Sequence, residues 1–61
     1  MIAEEKALEW YSSLPIHTKI NAKICFEILT SIKLEDLSFL LSYRERVIIL
    51  YNKLKKEGFE V

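Results

Sequence analysis

Apolar residues in this chain recur at intervals of three and four, the period of an α-helix, and nowhere alternate as they do in a half-buried strand. Ala3, Ala7, Trp10, Tyr11 and Leu14 share one face, which predicts a first helix over residues 2–13. Glu4 and Glu5 fall in its first turn, where negative charge suits the helix dipole. Pro15 disfavours helical geometry at Leu14 and should end the helix there. In the segment PIHTKIN, two starts for the next helix stand open. Pro15 can occupy the first helical position, or Thr18 or Asn21 can cap a later one. The second helix is predicted over about residues 19–31. Ile20, Ile24, Ile28 and Ile32 recur every fourth residue, and Ala22, Cys25, Phe26 and Leu29 widen the apolar arc to about 240°. So wide an arc calls for contact on more than one side, so this helix is expected at the centre of the fold with Ile24 and Ile28 buried.

The stretch from Leu34 onward reads as helix almost throughout. Leu34, Leu37, Leu40 and Leu41 predict a short helix over 34–41. Val47, Ile48, Leu50, Tyr51 and Leu54 predict a longer one over 43–57. Ser42 with Glu45 three residues later fits a capping box, which separates the two. One continuous helix is the alternative, since neither Gly nor Pro interrupts the run. It would be about 36 Å long, more than helices of about 13 residues can cover, and would favour a dimer. Gly58 with Phe59 and Leu54 suits a Schellman ending, and Lys53, Lys55 and Lys56 sit at the negative end of the dipole. The expected fold class is all-α: one domain over residues 1–61, a bundle of three or four helices.

Composition narrows the function classes. At 61 residues, such a domain buries about 60% of its unfolded surface, and one core supplies roughly 3–5 kcal/mol. Cys25 is the only cysteine and His17 the only histidine, so neither a disulfide nor a zinc cluster is expected as a staple. Nine basic residues balance nine acidic ones, without the basic excess typical of nucleic-acid binders or membrane-surface helices. No apolar run reaches membrane-spanning length, and the acidic, amphipathic start does not read as a signal peptide. A cytoplasmic location is expected.

Catalytic, metal and cofactor sites are expected to be none. His17 has no nameable partner for acid–base work. Cys25 lies within an apolar arc, where a thiol is a small hydrophobe rather than a reactive group. Glu4 with Glu5 and Glu35 with Asp36 are adjacent pairs that diverge by about 100° on a helix. A helix-turn-helix nucleic-acid binder is the alternative class, because ICFEILTSIKLEDLSFLL has its outline. Yet the residues that would face DNA are Glu35, Asp36, Ser38 and Phe39, which meet phosphate badly. Phe39 and Ile49 fall on otherwise polar faces, and Phe26 lies at the edge of the wide arc. These are the candidate interface residues. The expected function is a non-enzymatic protein–protein interaction module: a homodimer, a small subunit, or a small inhibitor or regulator.

Overall fold

Two caps set the lengths of the last helix, and the rest of the architecture follows from it. Ser42 is extended at φ −71° and ψ 167°. Its Oγ accepts from the Glu45 N–H at 3.3 Å, while Glu45 Oε1 accepts from the Ser42 N–H at 3.3 Å. This reciprocal pair satisfies two N–H groups that the start of a helix leaves without partners. At the other end, Gly58 takes φ 93°. The Phe59 N–H then donates to the Leu54 carbonyl at 3.0 Å and the Gly58 N–H to the Lys55 carbonyl at 3.1 Å, which together make a Schellman ending. Helix α3 therefore runs Tyr43–Lys56, and the stretch from Leu34 is two segments rather than one.

The computed structural model describes the backbone of residues 2–39 and 41–61, and the side chains of residues 4–37 and 41–61. Helix α1 is Ile2–Ser13, α2 is Ile16–Thr30, and a 3-10 helix spans Leu34–Phe39 before α3. No strand occurs among the described residues. The radius of gyration is 10.8 Å, close to the roughly 10.5 Å expected of a compact chain this long.

Three local outcomes differ from expectation. Helix α2 starts at Ile16, with Pro15 as its N-cap at φ −62° and ψ 156° and no side-chain cap. The Pro15 carbonyl instead accepts from the Thr18 and Lys19 N–H groups, both at 3.0 Å. The segment expected as an α-helix over 34–41 is a 3-10 helix, the tighter winding that short connectors between helix ends adopt. Leu34 is buried there and Leu37 half-buried, and Leu40 lies outside the described residues.

The third difference is the centre. Val47, Leu50, Tyr51 and Leu54 of α3 are buried, whereas α2 contributes Phe26 alone. Phe26, Leu34, Leu50 and Leu54 form one buried cluster, and Ala7, Val47 and Tyr51 form another. Trp10, Tyr11 and Val61 pack against both clusters. The hub is therefore α3, with α1 on one side and α2 with the 3-10 helix on the other. Ile24 and Ile28, expected in the core, are 46% and 73% exposed. The inward side of α2 is instead Ala22, Cys25 and Phe26, all packed on the first cluster. Ala22 and Phe26 lie about 160° round the helix from Ile24. Two small residues beside one large aromatic let α2 approach its neighbours closely, which a row of isoleucines would not.

Aromatic rings fasten α1 to α3. Trp10 meets Tyr51 edge-on at 5.3 Å between centroids, and Tyr11 meets Tyr43 edge-on at 6.1 Å. Both fall within the distances at which ring quadrupoles favour tilted contact.

Candidate functional site

The outward side of α2 gathers most of the exposed large aliphatic side chains among the described residues. Ile16 is 75% exposed and Ile20 53%, in line with Ile24 and Ile28, and Ile32, beyond the end of the helix, is 50% exposed. The four helical isoleucines, Ile16, Ile20, Ile24 and Ile28, are each one turn further along and drift slowly round the cylinder. His17, also exposed, falls within the same arc and Asn21 just beyond it; Glu27 falls within it but is half-buried, so the arc holds no exposed charged side chain.

The charged residues of α2 are turned toward the seams of the fold. Lys19 is half-buried, with its ammonium 5.2 Å from the Tyr11 ring centroid, a cation–π contact to α1. Lys23 is ion-paired with Glu35 on the 3-10 helix. Their shared hydrogen bond, reinforced by their opposite charges, raises the Lys23 pKa and lowers that of Glu35. Glu27 Oε2 accepts from the Leu34 N–H at 3.1 Å, and its carbonyl accepts from the Ser31 N–H at 2.8 Å. Thr30 Oγ1 donates to the Phe26 carbonyl at 2.8 Å and accepts from the Ile32 N–H at 3.2 Å. These contacts tie the polar flank of α2 to its neighbours and leave the isoleucines to solvent.

Of the residues singled out as a contact surface, Phe26 is 2% exposed and belongs to the core. Its edge position on the wide arc became part of the buried side, together with Ala22 and Cys25. Ile49 is half-buried and packs against the cluster that contains Phe26. The side chain of Phe39 lies outside the described residues. Sequence reasoning missed the isoleucine row as a surface because it took that row for the core. The usable signal was the 240° arc itself, which is more apolar surface than a chain this small can cover.

Other chemistry is sparse among the described residues. His17 is exposed on the first turn of α2, and Cys25 is a free thiol packed on the core. No group of three or more His, Cys, Asp or Glu side chains is placed to hold a metal ion. A cavity of about 210 Å³ lies between Trp10, Leu14, Ala22, Leu54 and Phe59, and a shallow surface depression of about 630 Å³ lies between Lys6, Glu9, Trp10, Ser13 and Tyr51. The segment that a helix-turn-helix would use for reading DNA is the six-residue 3-10 helix, with Glu35 and Asp36 exposed on it. No described helix is long and apolar enough to cross a membrane. Compared with protein-family models, curated proteins and solved structures, the chain matches none.

Proposed function

We propose that this protein is a non-enzymatic protein–protein interaction module of the cytosol, with the outer face of α2 as its contact surface. The exposed isoleucine row carries the reading. Monomeric proteins rarely expose contiguous apolar patches larger than a few hundred Å² unless something docks there. The five isoleucines together expose about as much as three whole side chains. At about 1.5–3 kcal/mol for each side chain buried, leaving them in water forgoes roughly as much as the core of so small a domain supplies. A partner that covers them recovers it. The surface totals 4510 Å², so a standard interface of about 800 Å² per partner would occupy near a sixth of it. A lone free Cys25 suits a reducing compartment.

The test is a double variant, Ile20→Ser with Ile24→Ser. Its monomer should keep the helical signal, and each change should cost no more than about 1.5 kcal/mol, half of what full burial is worth. Association through α2 should be lost. A melt that collapses in dilute solution would show that the row supports the core, and the reading would fall.

A further inference from the structure

We infer that the occupant of this face is α2 of a second copy of the chain, packed antiparallel about a two-fold axis that passes between Ile20 and Ile24. The inference rests on the interaction reading above and names the partner. Two observations favour self-pairing, and a third sets its strength.

The first is symmetry. Ile16, Ile20, Ile24 and Ile28 are evenly spaced and all exposed. A reversed copy of the row superimposes on the row itself. Ile16 of one copy then meets Ile28 of the other, and Ile20 meets Ile24, so each isoleucine finds an isoleucine. This is the self-complementarity that an isologous interface requires. A row spaced by four is also a ridge, and two such ridges interdigitate at a crossing angle near −50°, the commonest packing of globular helices.

The second is charge. The outward arc carries no exposed charged side chain: Glu27 within it and Lys23 at its margin are half-buried and engaged within the same copy by the Leu34 N–H and by Glu35. An acidic or basic partner would find no free charge here, whereas a second copy offers a face whose charges are likewise already engaged. The net charge of zero removes repulsion between copies.

The third is area. Helix α2 has 15 residues, so it is about 22 Å long, and half the wall of a cylinder about 11 Å across is near 380 Å². Two copies bury at most about 760 Å² through α2, under the roughly 1,000 Å² of a stable specific interface. The dimer is accordingly weak, and it forms as concentration rises through the micromolar range.

Sedimentation equilibrium over about 1–500 µM tests this, on the parent and on the single variants Ile20→Asp and Ile24→Lys. Far-UV circular dichroism of each dilute chain confirms that the helices remain. The parent mass should rise from 7.2 kDa toward twice that value. Each variant alone should dissociate roughly 100-fold more readily, because its charge is buried against isoleucine. An equimolar mixture should recover the dimer, because antiparallel pairing sets Asp at position 20 against Lys at position 24. Three results would overturn the inference: a folded variant that still dimerises, a mixture that does not recover, or a parent that stays monomeric throughout. In the last case the two readings separate. If the parent captures a different protein and Ile20→Asp does not, only the second copy is wrong. If neither captures anything, the interaction reading falls with it.

Discussion

Helices α2 and α3 have nearly equal lengths, 15 and 14 residues, yet they use their apolar residues in opposite ways. In α3 the apolar positions 47, 50, 51 and 54 form a stripe about 100° wide, and all four are buried. In α2 the isoleucines face water while Lys19, Lys23 and Glu27 are half-buried in seams. The difference teaches that hydrophobicity alone does not choose the inward face. Shape and polar anchoring choose it when two apolar faces compete. Burying Ala22, Cys25 and Phe26 allows close approach and places the lysines beside Tyr11 and Glu35.

The sharpest way to break this comparison is to truncate one aliphatic residue on each helix. Leu50 is 1% exposed, so Leu50→Ala should cost on the order of 2–5 kcal/mol, comparable to the whole stability expected of the domain. Ile28→Ala removes a similar side chain at 73% exposure and should stay within about 0.5 kcal/mol in dilute solution. Urea denaturation of both variants reads this directly, and equal losses would put both residues in one core.

A smaller effect belongs to the start of α3. Ser42→Ala removes the acceptor for the Glu45 N–H and should destabilise by about 0.5–2 kcal/mol. The counterpart in α2, Pro15, has no side-chain cap to lose. Amide exchange should therefore quicken at the first turn of α3 in the variant, and an unchanged rate would leave the box without an energetic role.

The smallest effect concerns the Lys23–Glu35 pair, which is largely open to solvent and weak for that reason. The lowered Glu35 pKa means that its contribution is present above the unfolded carboxylate value and lost as pH falls through the folded one. The raised Lys23 pKa means that its contribution is present below the unfolded ammonium value and lost as pH rises through the folded one. The pair therefore acts over the broad neutral range. Glu35→Gln should flatten both limbs slightly in a pH series of melts, and a slope identical to the parent's would show that the pair does not bias folding.

Much of the architecture was legible in the sequence wherever a local rule had a single solution. Ser42 with Glu45, and Gly58 with Phe59 and Leu54, specify backbone hydrogen bonds within a few residues, and both ends of α3 form accordingly. The stripe of α3 likewise admits one inward face. Helix α2 was less legible because its period is compatible with several inward directions, and the choice depends on Tyr11 and Glu35, which are distant in sequence. Its start was placed about three residues late because a proline N-cap supplies no side-chain acceptor to recognise. Its end uses Ser31 at φ 59° where glycine is more common. Of the candidate surface residues, Phe26 was misplaced for the same reason as the core: once the inward face of α2 was set wrongly, Phe26 and the isoleucines exchanged roles, while the side chain of Phe39 lies outside the described residues.

The contact between Trp10 and Tyr51 also fixes what can be seen of folding as it happens. It is a bridge between the first helix and the last, so it forms only when about two-thirds of the chain has closed into a loop, whereas each helix can wind from neighbours in sequence. Trp10 is the only tryptophan. Its emission therefore records the closure of the chain, and far-ultraviolet ellipticity records the winding of its parts. The two signals separate in time if winding precedes closure and coincide if the helices are too short to persist before they meet.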